Sequence, residues 1–209
     1  MNSAEQGFNQ IQMSAVQEMA NIGLGNAVTA LATLTNFPFN ITVPSVETVP
    51  LQQVHANLAD SGDLTVAVFT QFSGDVEGYG AFVFPWESAQ RLWEMLIGTA
   101  PNEPAEVDEL SSSVMLEIGN ILTASFINAI AEMANVEIHV QPPVVGIDAT
   151  ASLIGAVVVE AEMSDSVALS IETSILGPTA GQTTGYFLCI PTVASLNLLM
   201  ARFGLEEAA

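Results

Sequence analysis

The sequence predicts an α+β fold with two layers, in which a mainly antiparallel sheet packs against long helices. Two observations predict it: one polar pattern occurs in each half of the chain, and the same order of secondary structure follows each copy. Strand-like runs joined by short turns pair antiparallel. An internally duplicated chain of this kind is expected to fold with pseudo-two-fold symmetry.

The repeated pattern is Ser-x-x-x-Glu-x-x-Asn, followed by 22 intervening residues and then a proline. Polar residues at fixed spacing within apolar surroundings indicate one polar site that was built twice. The two copies are Ser14, Glu18, Asn21 and Pro44 in the first half, and Ser113, Glu117, Asn120 and Pro143 in the second. The Ser, Glu and Asn of each copy are called a triad below.

Both halves follow one order of elements: a long helical pattern (8–35 and 108–135), an extended segment (39–49 and 136–146), strand-like runs and a closing helix (86–98 and 192–204). The strand-like runs are 64–72 and 78–85 in the first half, and 154–163, 167–176 and 185–191 in the second. We expect one domain over residues 1–209, made of repeats 8–98 and 108–204 that a linker at 99–107 joins. An isolated half would leave a sheet edge open.

The composition excludes several classes of protein. The chain has 209 residues, 23 Asp plus Glu, and only Arg91 and Arg202 as basic residues, which gives a net charge of -21. Nucleic-acid binding needs clustered Lys and Arg, so it is excluded, and binding to anionic membranes is disfavoured for the same reason. No secretory signal and no uncharged apolar run long enough to cross a bilayer is present, so we expect a cytoplasmic protein without membrane insertion.

The charge excess also bears on the solvent in which the protein works. A surface this acidic repels itself in dilute buffer, and salt at about 1 M shortens the Debye length to about 3 Å and screens that repulsion. Two interpretations stay open: adaptation to a salt-rich cell, and a merely acidic cytosolic protein.

The other residues with chemical potential have simpler interpretations. Cys189 lies in an apolar run and is expected to be buried in a strand rather than to act as a nucleophile. His55 and His139 stand without Cys or carboxylates at ligand spacing, so no metal site is expected. The glycine-containing stretch 23–26 lies inside a helical pattern, which favours close helix packing over nucleotide binding.

A helical wheel separates each triad from an apolar arc. At about 100° per residue, Glu18 and Asn21 fall within about 40° of Ser14, so each triad shares one helix face. That face should point to solvent while the opposite arc packs on the core. The two arcs are Val16, Met19, Gly23, Ala27, Ala30 and Leu34, and Met115, Ile118, Leu122, Phe126, Ala129 and Met133.

The triads admit two interpretations. A solvated helix face explains one copy, because Ser, Glu and Asn are ordinary there. Two copies favour a function, since Asn is a poor helix former and recurs in mid-helix without a structural reason. A carboxamide can orient a water for hydrolysis of a phosphoryl group, and a carboxylate can pair with a cation of a macromolecular substrate. Pro44 and Pro143 have a simpler interpretation as the ends of an edge strand.

At this point the chain resembles the CheC family of chemotaxis phosphatases, which is related to CheX and FliY. The two triads with their distal prolines carry the resemblance, together with the strings NIGLGNAVTAL at 21–31 and EIGNILTASFINAI at 117–130. The resemblance implies a phosphatase that hydrolyses the aspartyl phosphate of a CheY-type response regulator. It assigns the attacking water to Asn21 and Asn120, docking to Glu18 and Glu117, and lesser roles to Ser14 and Ser113.

The resemblance also implies the partners and cofactors. Magnesium is held by the phosphorylated regulator, so this chain is expected to bind no metal or other cofactor. The receptor deamidase CheD is a further expected partner. The alternative function is a non-catalytic adaptor that binds CheY-phosphate, CheD or both. A structural component of the motor switch is a weaker alternative.

Overall fold

The protein is described from a computed structural model, which covers residues 10–35, 38, 40–54, 63–160, 167–176 and 182–203. Within these residues five α-helices and seven strands occur. The helices are α1 (Gln10–Thr35), α2 (Trp86–Ile97), α3 (Glu109–Ala134), α4 (Thr150–Glu160) and α5 (Val193–Arg202). The strands are β1 (Asn40–Pro50), β2 (Leu64–Gly74), β3 (Gly78–Pro85), β4 (Ile138–Val140), β5 (Val144–Ala149), β6 (Val167–Leu176) and β7 (Gln182–Pro191).

The strands form one antiparallel sheet in the order β1-β6-β7-β3-β2-β4, and β5 also pairs with β2. Each half contributes its first strand to the other half: β1 pairs with β6, while β4 and β5 pair with β2. At the centre, β3 and β7 pair from Gly78 opposite Pro191 to Val83 opposite Tyr186. The equivalent strands of the two repeats occur in the same order when the sheet is followed from either edge. The predicted α+β, pseudo-two-fold arrangement is therefore confirmed.

The sheet buries side chains on both faces, in the alternation that a strand imposes. On one face, α1, α2 and α3 cover a large core that contains Phe82, Phe84, Phe126 and Phe187. The indole N–H of the fully buried Trp93 in α2 donates to the carbonyl oxygen of Ser111 in α3, at 2.8 Å. A smaller cluster on the other face is covered by α4 and by a 3₁₀ turn at Leu51–Gln53.

The main error of the sequence prediction concerns residues 154–163, which were expected to form a strand. Residues 154–160 belong to α4 instead, and 161–163 lie outside the described residues. Valine favours strands by less than about 1 kcal/mol, so packing can override it. Here Ile154 is buried on the second sheet face, and the Thr150 hydroxyl lies 2.6 Å from that of Thr65. The edge of β2 is already occupied by β4 and β5.

The other predicted elements occur close to their expected positions. The extended segment 136–146 is split into β4 and β5, with residues 141–143 between them. Pro85 precedes α2, and Gly98 ends it with a positive φ of 74°, a conformation that glycine adopts readily at the end of a helix. The linker 99–107 contains a 3₁₀ turn at Pro104–Glu106, and the Asp108 side chain caps α3 by accepting from the Ser111 N–H at 2.8 Å.

Helix α3 is the most apolar long helix of the described residues. A window of 18 residues has a mean hydropathy of 1.5, which by length and composition would suffice to cross a membrane. Half of that window is buried inside the fold, against α1 and the sheet. Its apolar character is therefore accounted for by its place as a core helix.

Candidate functional site

The two triads lie on α1 and α3, on the sides that face away from the core. Ser14, Glu18 and Asn21 are exposed, and so are Ser113 and Glu117, whereas Asn120 is half-buried. The prediction that each triad faces outward is confirmed. Two carboxylate–carboxamide pairs are therefore presented on helix surfaces rather than in a cleft.

The buried sides of the two helices agree with the predicted arcs except at two residues. Ala30 and Met133 are exposed, and the side chain of Leu34 lies outside the described residues. The buried side of α1 also includes residues outside the predicted arc, because α1 packs against α3 as well as against the sheet. These are Ala20, Leu24 and Leu31.

Two glycines set how closely the helices approach their neighbours. A Cβ at Gly23 would lie 2.9 Å from the Cα of Phe126, so α1 and α3 touch backbone to backbone there. A Cβ at Gly119 would lie 2.5 Å from the side chain of Val68, so α3 is pressed against β2 one residue before Asn120. In α1 the corresponding neighbour of Asn21 is Ala20, which is fully buried.

The two prolines lie at irregular points of the sheet edges. Pro143 separates β4 from β5, which confirms its predicted place at the end of an edge strand. For Pro44 the prediction is wrong, because it lies inside β1, where the register with β6 shifts between Thr42 and Ser45. Proline has no N–H to donate, and an edge strand tolerates it at a bulge.

Positive charge is scarce around both triads. Arg91 lies in α2, 3.8 Å from Glu87 of the same helix, and Arg202 lies in the last turn of α5. His139 is exposed, with Nε2 3.2 Å from Glu137, and His55 lies outside the described residues. No group of three His, Cys, Asp or Glu side chains that could hold a metal occurs in the described part of the chain.

An apolar pocket that the sequence did not indicate lies between α1, β6, β7 and α5. Its walls include Val16, Met19, Leu169, Cys189 and Leu199. Burial raises the pKa of the Cys189 thiol to about 12, so the thiol stays protonated and unreactive at neutral pH. The predicted burial of Cys189 in a strand is confirmed, and the pocket presents no polar group for catalysis.

Comparison with known proteins agrees with this arrangement. Residues 11–47 and 110–147 each match the CheC-like family, and each match contains one triad with its proline. The CheY-P phosphatase CheC of Bacillus subtilis (strain 168) is 26% identical over 202 residues, which cover 95% of this chain and 96% of that protein.

Two solved structures share the fold. The FliY structure from Thermotoga maritima superposes with a TM-score of 0.76 at 18% identity, over 95% of this chain and 99% of that one. A chain of the CheX-CheY-BeF3-Mg+2 complex from Borrelia burgdorferi superposes with a TM-score of 0.50 at 15% identity, over 83% and 98%. Both repeats therefore match the CheC-like family at equivalent positions, and the chain is similar to CheC along nearly the whole length of that relative.

Proposed function

We propose that this protein hydrolyses the aspartyl phosphate of a CheY-type response regulator, with one site on α1 and one on α3. The observation that carries the proposal is the repeated Glu–Asn pair on an outward helix face in each repeat. The name of the B. subtilis relative, a CheY-P phosphatase, supports the same activity. An exposed helix face suits a protein substrate, since small molecules usually need a pocket.

Asn21 and Asn120 are proposed to position the attacking water. A carboxamide both accepts hydrogen bonds, through its oxygen, and donates them, through its NH2 group, so it can hold a water in a fixed orientation. Phosphoryl transfer depends mainly on positioning and charge stabilisation, so an oriented water in line with the phosphorus is the main demand on the protein.

Glu18 and Glu117 are proposed to dock the regulator by pairing with one of its cations. Among the described residues neither glutamate forms an ion pair with a basic residue of this chain, so the positive partner of each is proposed to come from the substrate. A charge-assisted hydrogen bond of this kind also fixes the orientation of the two surfaces. Magnesium belongs to the regulator in this proposal, and this chain supplies no metal ligand. A cytoplasmic location follows from that substrate.

The net charge of -21 predicts how salt affects the reaction. An acidic regulator would be repelled at low ionic strength, and this long-range repulsion falls as salt shortens the Debye length. The apparent KM for the regulator should therefore fall as salt rises, unless the regulator presents a basic face.

The experiment measures phosphate release from a phosphorylated CheY-type regulator, at low and high salt. The wild type is compared with Asn21→Ala, Asn120→Ala and the double variant, and Asn197→Ala serves as a matched control because it removes an exposed carboxamide from a helix without a triad. Each single variant should keep part of the activity, and the double variant should fall to the regulator's own rate.

Two outcomes decide against the proposal. A double variant as fast as the wild type would refute the assigned mechanism. A wild-type protein that binds the phosphorylated regulator, or the deamidase CheD, without accelerating hydrolysis would establish the adaptor function instead.

A further inference from the structure

Gly25 is an exposed glycine in the interior of α1 that the fold itself does not explain. A Cβ placed there would meet nothing within 4 Å, whereas at Gly23 it would meet the backbone of α3. The predicted role in close helix packing is therefore confirmed for Gly23 and wrong for Gly25. Among described glycines positive φ occurs at Gly74 and Gly98, so backbone conformation does not require a glycine at position 25 either.

An unexplained glycine in a helix is costly. Glycine is a poorer helix former than alanine, because it loses more backbone freedom on folding. Alanine at position 25 would fit the available space and stabilise the helix. Retaining glycine therefore indicates a demand from outside this chain.

The position of Gly25 relative to Asn21 indicates why a glycine is needed there. It follows Asn21 by one helical turn and lies on the same helix face. Side chains on a helix lean towards its N-terminus, so a residue at position 25 would lie over the turn that carries Asn21. A side chain there would cover the carboxamide, whereas a glycine leaves it open.

Neighbouring residues also place little side-chain bulk on this helix surface. The Thr29 hydroxyl turns back onto its own helix and donates to the carbonyl oxygen of Gly25, at 3.4 Å. In the second repeat, the residue one turn after Asn120 is Ala124, which projects a single methyl group. Small residues thus follow the triad asparagine in both repeats.

We infer that Gly25 is a positioning residue for the α1 site: it leaves room for the phosphorylated loop of the regulator to reach the water held by Asn21. The inference rests on the proposed function and adds a steric requirement to it. A water-mediated contact spans two hydrogen bonds of about 2.6–3.2 Å, so the substrate has to come close to the helix surface.

The test uses the Asn120→Ala background, in which hydrolysis depends on the α1 site. Phosphate release is measured against regulator concentration for the Asn120→Ala parent and for the parent with Gly25→Ala or Gly25→Leu added. The melting temperature of each protein is also recorded. Gly155→Ala in α4 controls for helix propensity, because a Cβ there also meets nothing within 4 Å. Ala30→Leu controls for bulk on an exposed part of α1 that lies on another side of the helix.

Stability and activity should move in opposite directions. Both Gly→Ala changes should raise the melting temperature, by about 2–4 °C for a domain of this size. Gly25→Ala should lower kcat/KM only slightly, because Ala124 at the matching position of the second repeat leaves its site open, and Gly25→Leu should lower it on the order of a hundredfold, since misplacement by about 1 Å can cost that much. Gly155→Ala and Ala30→Leu should leave kcat/KM unchanged.

The two proposals fail in different ways. If Gly25→Leu hydrolyses as fast as its parent while Asn21→Ala in the same background is inactive, the positioning role is wrong and the phosphatase proposal stands. If Asn21→Ala in that background stays fully active, both are overturned.

Discussion

Gly23 and Phe126 meet where the backbones of the two triad helices lie close together, because a methyl group on Gly23 would be 2.9 Å from the Cα of Phe126. The same methyl group would lie 3.2 Å from the carbonyl oxygen of Ser125. Both neighbours are backbone atoms, so they cannot move aside as a flexible side chain would. The spacing of α1 and α3, and with it the relative position of the triads, depends on this contact.

Gly23→Ala should therefore destabilise the protein although alanine favours helices. Overpacking a well-packed core costs typically about 1–3 kcal/mol, which exceeds the gain in helix propensity of about 1 kcal/mol. Urea unfolding measures the difference, and Gly155→Ala provides the control without a close neighbour. An unchanged or raised free energy of unfolding would show that the helices can separate at no cost.

The cap at the start of α3 should give a stability term that depends on pH. The Ser111 backbone N–H bonds the Asp108 carboxylate and holds the pKa of that group below its ordinary value of 3.8. A lowered pKa in the folded state stabilises it above that ordinary value, and the contribution is lost as the pH falls through the folded pKa.

Melting temperatures of wild type, Asp108→Asn and Asp108→Ala across pH 7 to 3 test this term. The wild type should exceed both variants at neutral pH, and its advantage over Asp108→Asn should shrink on acidification. A constant difference between these two proteins would contradict the assignment, because asparagine is a good cap but does not titrate.

The thiol of Cys189 should resist alkylation in the native state. Burial raises its pKa to about 12, so almost no thiolate is present at pH 8, and the side chain is 3% exposed. Iodoacetamide at pH 8 should label the protein only when denaturant is added, and the labelling rate should follow global unfolding. Rapid labelling without denaturant would mean that the pocket between α1 and α5 opens readily.

Salt should stabilise the fold if the acidic surface reflects adaptation to a salt-rich cell. With a net charge of -21, repulsion opposes the compact state, and it is largely screened at about 1 M salt, where the Debye length is about 3 Å. The melting temperature should rise with KCl, and neutralising the exposed Glu94 and Glu132 to glutamine should flatten that rise. A melting temperature that falls as molar KCl is added would end this interpretation.

The long helices, the hairpins and the duplication could be predicted because local signals agree there. The triads recur at one spacing, strand runs are bounded by turns, and Gly98 ends α2 where a left-handed residue is needed. Helix periodicity also predicted the outward triads, although contact between α1 and α3 rotated the buried arc to include Leu24 and Leu31.

The errors occur where distant contacts decide the local structure. Residues 154–160 have the composition of a strand, and the contacts of Thr150 and Ile154 with the sheet are absent from any local pattern. The bulge at Pro44 depends on the register between β1 and β6, which are more than 100 residues apart in the chain. The open space above Gly25 could not be foreseen either, because its sequence surroundings resemble those of the tightly packed Gly23.

The exchange of first strands between the repeats has a consequence for the integrity of the chain. Because β1 is held by β6, and β4 with β5 by β2, hydrogen-bonded ladders interlock the repeats in addition to the covalent linker. A proteolytic nick in residues 99–107 would leave two fragments that still complement each other. Each repeat therefore completes the sheet of the other, and neither repeat has its full set of paired strands by itself.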